Sequence, residues 1–150
     1  MSDDREAILQ RFLGSRAELM DAIRDLAPAQ LGEHTLEGWS VKDHLFHLAA
    51  WDNVRALEVI RISAGHGSAW RMTGEQDAAF NQLIYEMHES LSVDQAFWEL
   101  TTSRERLLNA IEEATQRGLD ATLYGEAGLL SSHEAQHAGW IRRWRQERGY

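Results

Sequence analysis

Two histidines stand four residues apart in His133-Glu134-Ala135-Gln136-His137, and a third, His47, lies in Asp43-His44-Leu45-Phe46-His47-Leu48-Ala49-Ala50-Trp51. On a helix, residues i and i+4 point the same way one turn apart, so such a pair can offer two imidazole nitrogens to one ion. A third imidazole from a distant helix then makes a three-nitrogen site with open positions. Because neutral ligands leave a divalent ion its full charge, a water or thiol in an open position would lose its proton more readily and become a better nucleophile. With seven histidines in 150 residues, one i, i+4 pair is weak evidence taken alone. His47 adds weight because it shares a helix face with Trp51 and Val54, where a residue aimed into a bundle sits. His44 lies about 60° around the same helix from His47 and competes with it for the third position. It is expected to pack or hydrogen-bond at the side. His34, His66 and His88 fall in loops or at segment ends and are read as solvated.

His133-Glu134-x-x-His137 also satisfies the H-E-x-x-H pattern of zinc peptidases, in which the glutamate is the general base. Those enzymes usually take their third ligand downstream, and here only 13 residues follow His137, with Glu147 their sole carboxylate side chain. They also commonly hold the peptide along a sheet edge, and the sequence contains no convincing strand. A peptidase is therefore a minor alternative. Glu134, beside a helix start, reads first as a dipole and capping residue and only second as a proton-transfer group. Tryptophans at helical spacing are ordinarily core, but of the six present Trp51 and Trp140 stand nearest the histidines and are read as walls of a substrate pocket.

These residues need a scaffold, and the composition describes one. A chain of 150 residues that is 43% hydrophobic can bury one real core, so residues 1–150 are read as one domain. Helix formers recur in long stretches, there is one proline, and Val, Ile and Thr alternation is almost absent; the class is all-α. A net charge of −9 serves nucleic-acid phosphates poorly. The basic cluster Arg142, Arg143, Arg145 and Arg148 reads as a complement to a helix dipole. With no cysteine, the chain offers no thiolate ligand, disulfide or cysteine nucleophile, so any metal must be held by nitrogen and oxygen. An acidic start and the lack of a membrane-length apolar run make a cytoplasmic protein with no membrane partner the expectation.

Periodicity then places the elements. Ile8, Phe12, Leu19, Ile23 and Leu26 recur at helical steps from a start at Ser2 to a stop at Pro28, and residues 29–39 read as a loop. Ser40-Val41-Lys42-Asp43 has the form of a capping box, so a helix runs from about Val41 to about Ser63, with Val41, Leu45, Leu48 and Val59 on its core face. Thr73 and Ser92 offer two more starts. The first leads into Phe80, Leu83, Ile84 and Met87 on one face; the second leads into Phe97, Leu100, Leu107, Leu108 and Ile111, and the two form either one bent helix or two. The last helix carries His133, His137, Trp140, Ile141 and Trp144 on one face, from a start between about Glu126 and Ser132. Four long helices with modest loops make a bundle.

The run Gly38-Trp39-Ser40-Val41-Lys42-Asp43-His44-Leu45-Phe46-His47-Leu48-Ala49-Ala50-Trp51 resembles the second-helix motif of the DinB/YfiT-like superfamily, and His133-x-x-x-His137-x-x-x-Ile141 resembles its last-helix motif. With Asp77-Ala78-Ala79-Phe80-Asn81 and Ser92-Val93-Asp94 between them, the order looks most like the ClbS/DfsB-type branch. The resemblance implies an up-down-down-up four-helix bundle, frequently a homodimer, with a divalent metal on His47, His133 and His137; imidazole suits zinc, nickel, iron and copper, of which zinc or nickel is the expectation. It implies no DNA binding. Activities in the superfamily diverge, so fold and metal leave the reaction open. The leading expectation is a metal-dependent enzyme of hydrolase type acting on a small electrophilic molecule. The alternatives are an S-transferase or isomerase that uses a low-molecular-weight thiol, and a non-catalytic metal-binding or ligand-sequestering bundle.

Overall fold

The computed structural model describes residues 4–34 and 38–150. Its helices are α1 (Asp4–Ile23), the single turn α2 (Pro28–Leu31), α3 (Val41–Ser63), α4 (Gly74–His88), α5 (Val93–Glu113) and α6 (His133–Arg148). Two 3-10 turns, Arg117–Leu119 and Ala121–Leu123, lie between α5 and α6. Among the described residues there is no strand; the one extended pairing is an isolated bridge between His34 and Ser40. No helix among them is long and apolar enough to cross a membrane.

Side chains that satisfy free N–H groups start three of these helices. The Ser40 hydroxyl accepts from the Asp43 N–H at 3.1 Å while the Asp43 carboxylate accepts from the Ser40 N–H at 2.9 Å. Thr73 and Gln76 repeat this reciprocal box at α4, and Ser92 accepts from the Gln95 N–H at α5. The expected start of α1 at Ser2 lies outside the described residues. One expectation is corrected and another narrowed. Pro28, read as a stop, begins the turn of α2, where its fixed φ and missing N–H do no harm. The last helix begins at His133, the late end of the expected window, and Ser132 caps it with no side-chain bond.

Hydrogen bonds between helices give the direction of each. Arg16 and Ser15 meet Glu134, and Arg145 donates to the carbonyls of Ala22 and Arg24; later residues of α1 meet later residues of α6, so these two run parallel. Asp52 meets Arg104 and Ser63 meets Thr115, so α3 and α5 are also parallel. Arg5 reaches Ala114 while Arg16 reaches Leu100, which sets α1 antiparallel to α5. His44 meets His137 while Arg55 meets Ser131, which sets α3 antiparallel to α6. The order is therefore up-down-down-up for α1, α3, α5 and α6. A parallel α3–α5 pair needs a crossover, and α4 provides it.

The core is layered. One apolar cluster contains Phe12, Val59, Leu107, Ile111 and Leu129; the other contains Leu19, Leu45, Leu100, Ile141 and Trp144. Between them each helix of the bundle contributes charge: Arg16 from α1, Asp52 from α3, Arg104 from α5 and Glu134 from α6. Arg104 bridges Asp52 at 2.9 Å and Glu134 at 3.0 Å, and Arg16 bonds Glu134 at 2.8 Å. Burial pulls Arg104 down, but Asp52 and Glu134 outweigh it and hold the guanidinium above its usual value. Arg142 and Arg145 cap the carbonyl end of α1, so the basic cluster does complement a helix terminus, that of its parallel neighbour.

The apolar face assigned to α4 is corrected. Leu83 is 53% and Met87 64% exposed, whereas Asp77, Phe80, Asn81, Ile84, Tyr85 and His88 turn inward. The two segments after residue 73 are separate helices, broken at Glu89–Ser92.

Replacing Arg104 with Met removes the guanidinium shared by Asp52, Glu134 and the Phe12 carbonyl. Asp52 loses its closest cation and Glu134 one of its two, and the expected cost is about 3–5 kcal/mol. Urea unfolding of Arg104→Met against the parent chain measures it.

Candidate metal centre

Between α3 and α6, on the side covered by α4, lies a cavity of about 570 Å³. His47 and Trp51 are one turn apart on α3, and Arg55 follows one turn later. Opposite them, His133, Gln136, His137 and Trp140 come from the first two turns of α6. Because α3 and α6 are antiparallel, later residues on one face meet earlier residues on the other. This brings together histidines 86 residues apart.

The Nε2 atoms of His47 and His133 are 2.8 Å apart, and those of His137 and His133 are 3.1 Å apart. Nitrogen ligands bonded to tetrahedral zinc at about 2.0–2.1 Å stand roughly 3.3 Å from one another. Each of these two separations needs to widen by only a few tenths of an ångström to suit one ion. Among the described residues these histidines form the one group with donor atoms within 4.8 Å of each other that could hold a metal. Protonation states suit this too. Burial, reinforced by His133, His44 and Arg55, pushes His47 down to about 2. Burial and then Arg55 bring His133 to about 3, and burial with His44 and the two other rings depresses His137 further still. All three rings are held neutral, the form in which imidazole binds metal.

Aromatic side chains build the walls. Trp39 lies 4.9 Å from the His47 ring and stacks against Tyr85 at 6.4 Å. Trp51 packs against Trp70 at 5.1 Å and Phe80 at 5.4 Å, and its indole N–H donates to Asn81 at 2.8 Å. Trp140 lies 4.7 Å from His137. Both Trp51 and Trp140 line the cavity. Glu58, buried on α3, accepts from Ser68, from the Ala69 N–H at 2.9 Å and from the Trp70 N–H at 3.2 Å; it fixes the loop that carries Trp70 to the wall. Gly125 passes so close that an added Cβ would sit 2.1 Å from the Trp70 carbonyl oxygen.

Around the imidazoles the lining is polar as well, with Arg55, Asp77, Asn81, Glu126, Ser131, Ser132 and Gln136. Arg55 is the only Lys or Arg among the described lining residues; it is 5% exposed and donates to the Gly128 carbonyl at 3.3 Å and to Ser131 Oγ at 3.1 Å. Asp77 and Glu126 line the cavity while accepting from the Trp70 indole and the Met72 N–H. Glu134 does not line it. Its carboxylate turns the other way, into Ser15, Arg16 and Arg104; burial is outweighed by those partners, which hold it ionised. Neither capping nor proton transfer at the cavity is its role, and the H-E-x-x-H peptidase geometry is not formed.

Nine further lining residues have no site role in the sequence reading, among them Arg55, His44 and Trp39. Arg55 continues the spacing of His47 and Trp51 and could have been found by extending that face. His44 precedes His47 by three residues on an adjoining strip of α3, and spacing places it only at the side. Trp39 precedes its helix, where periodicity says nothing.

A helical bundle in which two antiparallel helices present three converging imidazoles defines the class of this protein. The sequence matches the family model described as the DinB superfamily over residues 11–141, and the chain belongs to that superfamily. Among solved structures it is similar to an uncharacterised protein from Escherichia coli UTI89, with a TM-score of 0.78 and 18% identity over 97% of this chain and 94% of the other. That likeness shows the fold. No curated protein matches the sequence.

The depressed values set a pH dependence for the metal-free protein. Below the ordinary histidine value of 6.5, the unfolded chain takes up protons that His47 and His133 refuse until about 2 and 3. Stability is therefore complete above about pH 6.5 and falls as pH drops toward the folded values. In calorimetry of chelator-treated protein, the melting temperature is expected to fall between about pH 7 and about pH 5. The fall should be shallower in His133→Gln, and equal slopes would count against burial of neutral histidines.

Proposed function

We propose that this protein is a metal-dependent enzyme of hydrolase type acting on a small electrophilic molecule, with His47, His133 and His137 holding a divalent ion, zinc or nickel. The observation that carries this is the convergence of three neutral Nε2 atoms on one side of a cavity large enough for a small organic molecule. A divalent ion bound there supplies Lewis-acid polarisation and a lowered pKa for an attacking water or thiol.

The chain's own residues do the rest. Trp51 and Trp140 would receive the apolar body of the substrate and exclude water from the reacting atoms. The side-chain carbonyl of Asn81, bonded to the Trp51 indole, holds that wall in place. Arg55, its guanidinium already fixed by Gly128 and Ser131, is a preorganised positive charge for an oxygen that becomes negative in the transition state. Glu134 and Asp52, the carboxylates beside the histidines on their helices, do not serve the cavity as bases, because both are committed to the buried ion pairs.

The same cavity accommodates a second nucleophile. Since the chain contains no cysteine, thiol chemistry would require a low-molecular-weight thiol as co-substrate, which would make the protein an S-transferase or isomerase.

Metal analysis of protein purified without an affinity tag tests the site: one equivalent of zinc or nickel in the parent chain, and loss of most of it in His47→Ala and in His137→Ala. Unchanged metal in both variants would sink the assignment. A panel of activated esters and alkyl halides, assayed with and without added thiol, then separates the chemistries. Turnover without thiol is expected, and turnover only with thiol would replace hydrolysis by transfer.

A further inference from the structure

The far nitrogens of the three rings are not treated alike. Nδ1 of His47 and Nδ1 of His133 are buried with no hydrogen-bond partner among the described residues. Nδ1 of His137 approaches Nδ1 of His44 at 2.6 Å, the rings edge to face with centroids 4.9 Å apart. His44 is fully buried and His137 is 3% exposed, so no solvent competes for this contact. His44 also lies 5.5 Å from Trp39 and 6.5 Å from Trp140, ring to ring, between two walls of the cavity.

We infer that His44 is a positioning residue: it accepts a hydrogen bond from Nδ1–H of His137, selecting the tautomer and ring orientation in which His137 Nε2 faces the metal. This rests on the metal reading above. Its logic is proton placement. Nε2 of His137 faces Nε2 of His133 at 3.1 Å, and a nitrogen that gives its lone pair to an ion carries no proton. The ring's single proton is then on Nδ1, pointing at His44, and His44 must present a bare Nδ1 with its own proton on Nε2. The opposite tautomer of His44 would set two N–H groups head to head at 2.6 Å.

His44 is not a fourth ligand, because its nitrogens do not join the group of donor atoms that lie within 4.8 Å of one another. Ligating histidines ordinarily donate to a carboxylate, a carbonyl or water. An imidazole does this job without adding negative charge, so it orients His137 while leaving the ion's charge uncompensated.

Asn in place of His44 sets an amide oxygen near the position of Nδ1, whereas Leu has a similar shape and no acceptor. By the size of such outer-partner effects, His44→Leu is expected to weaken zinc binding about 10–100-fold in chelator competition, with His44→Asn recovering most of the loss. Thermal unfolding of each metal-free variant identifies any that fails to fold. For the parent chain, two-bond ¹H–¹⁵N spectra of the zinc-loaded protein read the tautomers directly: His44 protonated at Nε2 and His137 at Nδ1. No measurable zinc binding by the parent chain overturns the metal reading itself. Tight zinc binding with His44 protonated at Nδ1, or with a folded His44→Leu as tight as the parent chain, overturns the role of His44 alone.

Discussion

The structure turns on the charged layer in which Arg16, Asp52, Arg104 and Glu134 meet, one residue from each helix of the bundle. Buried ion pairs add little net stability compared with apolar residues of the same size, but any sliding or rotation of one helix would strand a charge in the core. Here that penalty acts on function as well as on fold. Asp52 lies just beyond His47 on α3, and Glu134 immediately follows His133 on α6. The pairs that lock these two carboxylates also fix the register at which His47 and His133 face each other at 2.8 Å.

This explains why two neighbouring residues of one helix have opposite duties. His133 and His137 turn to the cavity between α3 and α6, while Glu134, about 100° further round, turns to α1 and α5. A glutamate that receives two guanidinium groups and a serine hydroxyl has no orientation left in which it can serve the cavity. The cavity's chemistry is therefore that of neutral imidazoles, indole walls, the fixed guanidinium of Arg55 and the carboxylates of Asp77 and Glu126, with Glu134 taking no part.

The crossover between the parallel helices α3 and α5 completes the site. A short loop cannot join parallel neighbours, so the chain must travel the length of the bundle outside it. The helix α4 makes that passage with Phe80, Asn81 and Tyr85 against the indoles of Trp51, Trp70 and Trp39. Its outer face stays wet, which is why Leu83 and Met87 gain little burial despite their helical spacing. The linking loop is tied down by Glu58, a buried carboxylate whose partners are mainly backbone N–H groups.

Much of this was readable in the residues themselves. Capping boxes at Ser40 and Thr73 located helix starts, because the hydrogen bonds that satisfy a first turn are local. Helical spacing identified the core faces of α1, α3 and α5, and the i, i+4 pair His133 and His137, because a helix puts such residues on one side whatever surrounds it. What spacing could not show was which neighbour each face would meet. It did not separate the inner face of α4 from its outer one, place Glu134 with Arg16 and Arg104, or set His44 against the far nitrogen of His137. Those outcomes depend on contacts between residues from about 30 to more than 100 positions apart, and they exist only once four helices have packed with their charges paired.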